Sequence, residues 1–150
     1  MRASCTGECE QDPVTQAVTK RLEDITGIPS ANFETFTLLR YEIGQSFKLH
    51  HDYFDHYQER QAGPRTLTVL LYLNTVEEGG GTNFPKLNNM TVLPKRGMAL
   101  IWPAVLDENP NVKDPRTYHQ ALPIEKGVKF AATTLPHQRN FKEPHARGCG

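Results

Sequence analysis

The amino-acid sequence predicts a mainly β protein with a flanking helix, folded as a double-stranded β-helix (jelly roll). Three observations favour this class. Short runs rich in β-branched and aromatic residues follow one another after residue 36, turn-forming residues separate them, and no helices alternate with them. We expect the 150 residues to form a single domain, because this length suffices for one hydrophobic core without cross-links.

The first element is a predicted helix over residues 12–26. Asp12 is a favourable N-cap, and Pro13 suits the first helical position, where its missing N–H costs nothing. Gly27 favours an end to the helix, and apolar residues recur on one face, at Val14, Ala17, Val18, Leu22 and Ile25. We expect this amphipathic helix to pack against the β structure and to take no part in chemistry.

Eight strands are predicted after the helix, from runs rich in residues that favour β structure. They cover residues 36–43, 46–53, 66–74, 82–84, 91–93, 98–102, 117–122 and 128–135. Turns rich in Gly, Pro or charged residues separate several of them, at residues 62–64, 78–81, 94–97 and 125–127. The many short strands, without helices between them, favour antiparallel sheets over a parallel one.

Two polar stretches, residues 55–64 and 104–116, are predicted to be loops. Loops at the mouth of a β scaffold commonly carry substrate recognition, so we expect these two near a binding site. Residues 141–150 show no hydrophobic period and are expected to form an extended tail.

The charge of the chain argues against two classes of partner. Lys and Arg total 17, Asp and Glu also total 17, and no basic stripe is visible, so we expect no binding of nucleic acid or membrane. No apolar run reaches the roughly 18 residues that a membrane-spanning helix requires. The first residues lack the apolar core of a signal peptide, and the compartment stays open between the cytosol and the secretory lumen.

Three cysteines lie near the ends of the chain, at Cys5, Cys9 and Cys149. An odd number argues against a framework of disulfides. The spacing of Cys5 and Cys9 allows a disulfide or a pair of zinc ligands, but no second Cys/His pair completes a zinc site. We therefore expect free thiols without a role, with pairing of Cys5 and Cys9 as the alternative.

The strongest indication of chemistry is a candidate iron site. His50 and Asp52 are two positions apart, so on a strand their side chains point to one face and His51 points to the other. His119 lies far downstream and adds a second imidazole. Two histidines and one carboxylate on one face of a metal leave other positions open, which is the arrangement of non-haem Fe(II) oxygenases.

A candidate anchor for an anion lies ten residues after His119. Residues 129–137 read as a strand in which Lys129 shares a face with small side chains, among them Ala131 and Thr133. A buried lysine requires an anionic partner. The distal carboxylate of 2-oxoglutarate would be such a partner, and a solvated lysine on an edge strand is the alternative.

Several stretches of the sequence resemble the catalytic domain of prolyl 4-hydroxylases, within the Fe(II)/2-oxoglutarate dioxygenases. The resemblance covers about residues 12–140, and these motifs are highly specific together. They are LRYEIGQ at 39–45, HHDYF at 50–54, TVLLYLN at 68–74, VEEGG at 76–80, TNFP at 82–85, PKRGMAL at 94–100, DPR at 114–116 and KGVKF at 126–130.

The resemblance implies a ligand set, a cosubstrate and a reaction. The two histidines and the carboxylate named above would bind Fe(II). Lys129 would pair with the C5 carboxylate of 2-oxoglutarate, helped by the hydroxyls of Tyr41 and Thr82. The expected reaction consumes O2, converts 2-oxoglutarate to succinate and CO2, and hydroxylates a proline of a peptide or protein at C4, with ascorbate as a further cofactor.

Substrate residues are also implied by the resemblance. Arg65 and His137 occupy positions that contact the peptidyl proline in prolyl 4-hydroxylases, and ordinary polar residues at strand ends are the alternative. Tyr53 and Tyr72 are expected either to offer aromatic surface to a proline ring or to pack in the protein.

Trp102 is expected in the core. The histidines without a functional role are expected to be structural or exposed, and these are His51, His56 and His145.

Two features depart from the family. Leu135 stands where members often have a tryptophan six residues after the anchoring lysine, so the wall of the cosubstrate pocket differs but stays apolar. Members usually have strands and a helix before the segment that resembles residues 2–4. We therefore expect either a trimmed piece or a minimal member.

Four functions compete at this point. The sequence favours a peptidyl-proline 4-hydroxylase over the same chemistry on another peptidyl residue or a free amino acid. A catalytically silent peptide-binding module is disfavoured because the candidate ligands and Lys129 are all present. A zinc hydrolase or an unrelated cupin-like metal protein is disfavoured because no second acidic base stands beside the ligands.

Overall fold

The computed structural model describes residues 1–148 and shows two antiparallel sheets packed against each other. The larger sheet has the strand order β1 (Arg2–Ser4), β2 (Thr37–Tyr41), β13 (Lys129–Thr134), β4 (Leu67–Tyr72), β8 (Ala99–Pro103). The smaller sheet has the order β3 (Phe47–His50), β11 (His119–Ala121), β6 (Thr82–Phe84), β7 (Met90–Val92). The predicted jelly roll is confirmed.

Two further sheets of the described residues have two strands each. β5 (Glu78–Gly79) pairs with β12 (Ile124–Lys126), and β9 (Val105–Leu106) pairs with β10 (Asn109–Lys113). Several pairings join distant parts of the chain. For example, β2 pairs with both β1 and β13, and β11 pairs with both β3 and β6. This interleaving brings side chains from both ends of the sequence to the space between the sheets.

The helical segments lie outside the two sheets. They are α1 (Glu8–Gln11), α2 (Pro13–Thr26) and α3 (Lys142–Ala146), with single 3₁₀ turns at Ser30–Asn32, Asp55–Tyr57 and Pro115–Thr117. The predicted start and end of α2 are confirmed. The Asp12 carboxylate accepts a hydrogen bond of 2.8 Å from the Val14 N–H, and Gly27 adopts a left-handed conformation with φ 68°.

The hydrophobic core has two main parts, one on each face of the larger sheet. On the outer face, Leu22 of α2 packs in one cluster with Val69 and Ala132. On the inner face, between the sheets, the cluster is formed by Leu70, Tyr72, Phe84, Trp102 and Ala131. The face of α2 that is buried is narrower than predicted, since Val14 and Ile25 are exposed.

Several local predictions were wrong. Residues 104–116 are not a loop throughout, because β9 and β10 form a hairpin there. Residues 78–79 of the predicted turn at 78–81 form β5, and residues 125–126 of the predicted turn at 125–127 belong to β12. The predicted extended tail contains α3, while residues 149 and 150, with Cys149, lie outside the described residues. Strands β1, β5, β9, β10 and β12 were not predicted.

The prediction of free thiols was also wrong for one pair. Cys5 and Cys9 form a disulfide, and Cys5 belongs to the outer core cluster. The Cys5 N–H donates a hydrogen bond of 2.7 Å to the Phe36 carbonyl. The disulfide therefore joins α1 to a residue that is itself hydrogen-bonded to the chain just before β2. Within residues 1–148, no helix combines the length and apolarity needed to cross a membrane.

Candidate active site

The structure brings His50, Asp52 and His119 together. β3 and β11 are antiparallel neighbours, and His119 lies directly opposite His50, with ring centroids 4.2 Å apart. The Asp52 carboxylate lies 3.5 Å from the Nε2 atom of each histidine. The three candidate ligand atoms all lie within 4.8 Å of one another, a spacing at which one metal ion can contact them all.

Asp52 does not lie on the strand on which the sequence argument placed it. β3 ends at His50, and Asp52 follows in a bend. Its carboxylate nevertheless faces the two imidazoles, because Thr68 of β4 donates a hydrogen bond of 2.6 Å to Asp52 Oδ2. The prediction that the Asp52 and His50 side chains face the same space is thus correct, although Asp52 lies beyond the end of the strand. The hydrogen bond from Thr68 of the larger sheet contributes to the position of the carboxylate.

Hydrogen bonds orient both imidazoles. His50 Nδ1 lies 2.7 Å from the Lys48 carbonyl, and His119 Nδ1 lies 3.0 Å from the Thr117 carbonyl. A carbonyl only accepts, so each Nδ1 donates to its carbonyl, and in the neutral ring this leaves the Nε2 lone pair available to a metal. Metal-binding histidines are commonly oriented by such bonds.

The electrostatics of the three residues suit a divalent metal. Burial alone would raise the pKa of Asp52, but the interactions of its carboxylate with His50 and His119, in their protonated forms, and the hydrogen bond from Thr68 outweigh burial and lower the pKa to about 2. Burial lowers the pKa of His119, so its imidazole is neutral near pH 7. A carboxylate and neutral imidazoles are the protonation states that metal binding requires. Two nitrogens and one oxygen on one side of the space fit Fe(II) with open positions.

The three residues line a cavity of about 210 Å³ between the sheets. Lys129, Tyr41 and Thr82 line the same cavity. Its apolar wall is formed by Leu39, Leu70, Trp102, Ala121 and Leu135. Trp102 is in the core, as predicted, and its ring also contacts His119, with centroids 4.7 Å apart. A small, largely apolar cavity with a few convergent polar groups is the usual form of a small-molecule site.

Lys129 is 2% exposed and has an incomplete set of partners in the protein. Its ammonium donates a hydrogen bond of 2.7 Å to the Gly80 carbonyl, and no carboxylate of residues 1–148 pairs with it. Burial lowers its pKa to about 8. A buried ammonium beside a cavity, with one carbonyl partner, fits a bound carboxylate.

A pair of tyrosines surrounds the Lys129 ammonium. Nζ lies 5.7 Å from the ring centroid of Tyr41 and 5.3 Å from that of Tyr72. The Tyr72 hydroxyl shares a hydrogen bond of 2.7 Å with the Thr82 hydroxyl. Tyr72 is 1% exposed, so it packs in the core and the alternative of a surface for a proline ring is wrong. Tyr72 extends the predicted set of Tyr41 and Thr82, and no sequence pattern distinguished it from a packing residue.

Arg65 and His137 meet on a residue that the sequence argument did not select. Glu34 accepts hydrogen bonds from Arg65 Nε at 2.6 Å and Arg65 Nη2 at 3.2 Å, and lies 2.8 Å from His137 Nε2. Burial opposes ionisation of Glu34, but the hydrogen bond with His137 and the charge of Arg65 lower its pKa overall. Glu34 and Arg65 line the cavity near Phe54, whereas His137 is 2% exposed and lies behind them.

The other aromatic and histidine residues have structural positions. Tyr53 is buried against the β9–β10 hairpin, and its hydroxyl donates to the Asn111 carbonyl at 2.6 Å. His51 is buried and points away from the cavity, while His56 and His145 are exposed. These positions agree with the structural or exposed roles expected of the three histidines, and they exclude Tyr53 from an exposed aromatic surface.

Comparison with known proteins settles the family. The sequence profile of the 2OG-Fe(II) oxygenase superfamily matches residues 36–136. This chain belongs to that superfamily. The matched range contains the three candidate ligands, Lys129 and all of the two sheets except β1. The superfamily and the His-Asp-His cluster together support Fe(II) and 2-oxoglutarate as the metal and the cosubstrate.

Individual relatives carry hydroxylase names. The chain is 34% identical over 150 residues to "Probable prolyl 4-hydroxylase 8" of Arabidopsis thaliana, covering 87% of this chain and 51% of the relative. It is 36% identical over 152 residues to "Probable prolyl 4-hydroxylase 10" of the same plant, with 88% and 52% covered. The chain thus spans about half the length of these relatives.

A solved structure also matches. The viral collagen prolyl hydroxylase of Paramecium bursaria Chlorella virus-1 superposes with a TM-score of 0.77 at 26% sequence identity, covering 91% of this chain and 74% of that one. The arrangement of sheets described above is therefore that of a known oxygenase fold.

Proposed function

We propose that this chain hydroxylates peptidyl proline at C4, coupled to the oxidative decarboxylation of 2-oxoglutarate to succinate and CO2. The observation that carries the proposal is the convergence of His50, Asp52, His119 and Lys129 on one cavity. Relatives named as prolyl 4-hydroxylases, at 30–36% identity, support proline as the target. We further propose that residues 1–150 act as a single catalytic domain.

In this proposal, the Nε2 atoms of His50 and His119 and the Asp52 carboxylate hold Fe(II). When bound, the iron supplies activation of O2, which the chain's own residues cannot perform. We infer that ascorbate keeps the metal reduced, as the resemblance to prolyl 4-hydroxylases implies. The protein contributes position, since Thr68 fixes the carboxylate and the carbonyls of residues 48 and 117 fix the imidazoles.

The proposed role of Lys129 is to bind the C5 carboxylate of 2-oxoglutarate. Tyr41 and Thr82 line the cavity beside it and would add hydroxyl donors. Burial raises the pKa of Tyr41, so its phenol stays protonated and able to donate. The apolar wall formed by Leu70, Trp102 and neighbouring residues would keep water from the reacting groups.

The proposed peptide site lies where Arg65 and Glu34 line the cavity. The Arg65 guanidinium lies 5.3 Å from the ring of Phe54, which is partly exposed. We infer that Arg65 donates to a carbonyl of the peptide or to the new hydroxyl. His137 is too deeply buried for a large contact with the peptide. Its contribution would come through Glu34, whose carboxylate contacts both His137 and Arg65.

The test is mass spectrometry of proline-rich peptides incubated with the protein, Fe(II), ascorbate and O2, with and without 2-oxoglutarate. Addition of one oxygen to proline, dependent on 2-oxoglutarate, would support the proposal. The matched controls are a peptide with alanine in place of proline and the Asp52→Asn variant, which retains the shape of the side chain and loses its charge. Succinate formation without a modified proline would instead indicate the same chemistry on another substrate.

A further inference from the structure

His51 stands between two candidate metal ligands but faces away from them. It is 8% exposed and lies 2.9 Å from the Asp114 carbonyl, in the segment that leads to His119. Its ring thus contacts the second ligand-bearing segment, 63 residues further along the chain. His51 belongs neither to the candidate ligand cluster nor to the lining of the cavity.

Both nitrogens of the His51 ring are hydrogen-bonded to these two segments. The Tyr53 N–H donates to His51 Nδ1 at 3.0 Å, so Nδ1 is an acceptor and Nε2 carries the proton. His51 Nε2 then donates to the Asp114 carbonyl at 2.9 Å, with the Thr117 hydroxyl 3.2 Å away. One bond fixes the chain directly after Asp52, and the other fixes the chain just before His119.

The connection continues to His119 itself. The Thr117 hydroxyl donates to the Asp114 carbonyl at 3.0 Å, and the Thr117 carbonyl accepts from His119 Nδ1 at 3.0 Å. We call the hydrogen-bonded set of Tyr53, His51, Asp114 and Thr117 the His51 bridge. It forms a continuous path from the residue after one candidate ligand to the imidazole of another.

The His51 bridge connects the two segments beyond the end of the β3–β11 ladder. The ladder between β3 and β11 reaches His50 and His119 and then stops, so Asp52 lies beyond the last pair of strand residues. Arg116 reinforces the far side of the bridge, since its Nε and Nη2 atoms bond the Asp114 carboxylate at 2.9 and 2.7 Å. Asp114 is buried, and its carboxylate also caps the 3₁₀ turn before His119.

We propose that His51 is a positioning residue that sets the distance between Asp52 and His119 and thereby the affinity and geometry of the metal site. This inference rests on the proposed iron site. A purely structural role, in which His51 only stabilises the fold, would leave the metal affinity of the folded protein unchanged. The two roles therefore differ in a property that can be measured without turnover.

The experiment measures binding of Co(II), whose visible spectrum reports coordination geometry, to the wild-type protein and four variants. His51→Phe keeps a buried ring and loses both hydrogen bonds. His51→Gln has an amide that can reach the Asp114 carbonyl, whereas His51→Asn keeps an acceptor for the Tyr53 N–H and is too short for that carbonyl. Leu22→Ala, in the outer core, is the control for loss of stability alone.

We expect His51→Phe to weaken Co(II) binding by about tenfold or more and to alter the spectrum, as with other residues that orient metal ligands. Leu22→Ala should lower the melting temperature with Co(II) affinity unchanged, and His51→Gln should bind more tightly than His51→Asn. If His51→Phe fails to fold, the order of the Gln and Asn variants decides the matter.

Equal Co(II) affinity in wild type and His51→Phe, or in the Gln and Asn variants, would overturn the positioning role. Failure of the wild type to bind Co(II) or Fe(II) would overturn the proposed function, and the inference with it. The first result leaves the proposed iron site standing, so the two failures are distinguishable.

Discussion

The Lys129 ammonium is buried with the Gly80 carbonyl as its hydrogen-bond partner, so its charge state depends on what else enters the cavity. Burial lowers its pKa to about 8, which means that the free protein holds a mixture of charged and neutral lysine in mildly alkaline solution. A dicarboxylate ligand favours the charged form. Binding of 2-oxoglutarate is therefore expected to be coupled to uptake of a proton above this pH.

We expect the affinity for 2-oxoglutarate to fall roughly tenfold between pH 7.5 and 9, because the charged fraction of Lys129 falls by about that factor. The Lys129→Arg variant stays charged, so its affinity should be lower at pH 7.5 but nearly flat over the same range. Titration calorimetry with a metal that does not turn over, such as Mn(II), measures both. An equal slope in the two proteins would show that Lys129 is not the group involved.

Glu34 leads to a second pH-dependent expectation. Its lowered pKa means that the folded protein favours the carboxylate, so the contribution to stability is present above pH 4.5 and is lost as the pH falls through the folded-state value. Glu34→Gln leaves the partly buried Arg65 without its charge partner. We expect a loss of about 2 kcal/mol at pH 7, which shrinks as the pH falls from 4.5 through the lowered pKa of Glu34.

The measurement is urea denaturation of wild type and Glu34→Gln at several pH values. Glu125→Gln, on an exposed residue of β12, is the matched control and should change stability by less than about 0.5 kcal/mol. A difference for Glu34→Gln that does not vary with pH would contradict the ionised cluster.

The chemistry at the residue scale was only partly predictable. His50, Asp52 and His119 were selected because metal ligands have a recognisable residue type and spacing, and Lys129 because charge on an apolar strand is unusual. Glu34 has no distinctive residue type or spacing in the sequence, since an acidic residue before a strand is common. Its partners are 31 and 103 residues away, and only the folded chain brings them together.

At the scale of elements, the short β5–β12 ladder determines the position of the Gly80 carbonyl that holds Lys129. Gly79 pairs with Ile124 and has φ 78°. A Cβ atom at Gly79 would lie 2.4 Å from the Pro123 carbonyl oxygen and 2.8 Å from the Glu125 nitrogen. Both are backbone atoms, so the two strands would have to separate.

Gly79→Ala should therefore destabilise the protein and weaken 2-oxoglutarate binding together. Gly97 is the matched control, because it has φ 81° with nothing within 4 Å of a Cβ atom. Gly97→Ala is expected to cost about 1 kcal/mol from backbone strain, and Gly79→Ala about 2 kcal/mol more from the steric clash. Chemical denaturation and cosubstrate titration test this, and equal effects of the two substitutions would refute it.

The same ladder shows why strand prediction was incomplete. The longer strands were found because several β-forming residues follow one another, as in β4 and β13. β5 has only two residues, one of them glycine, and β10 is polar and contains a proline. Such strands form because distant partner strands supply their hydrogen bonds, so their local amino-acid composition does not predict them.

At the scale of the whole molecule, the Cys5–Cys9 disulfide joins the N-terminal helices to the larger sheet near the outer core. Free thiols were predicted, with pairing of Cys5 and Cys9 as the alternative, because an odd number of cysteines argues against a framework of disulfides. Pairing depends instead on which two cysteines come close in the fold. A disulfide that closes so short a loop is expected to stabilise the protein by about 2 kcal/mol.

We expect a reducing agent to lower the melting temperature of the wild type while leaving the metal affinity unchanged, since the disulfide lies outside the cavity. A Cys5→Ala/Cys9→Ala variant should start with the lower melting temperature and show no further change on reduction. Calorimetric scans of both proteins, with and without reductant, test this. A shift in the double variant would assign the effect to something other than this bond.

The pairing of strands also has a consequence for synthesis of the protein. His50 finds its partner strand only when residue 119 is available, and Tyr41 pairs with Lys129. A nascent chain on the ribosome therefore carries one histidine and one carboxylate of the cluster until residue 119 has been added. The order of the strands thus makes the three-residue cluster complete only after the second histidine has been made, so any shorter nascent chain offers two of the three candidate ligands.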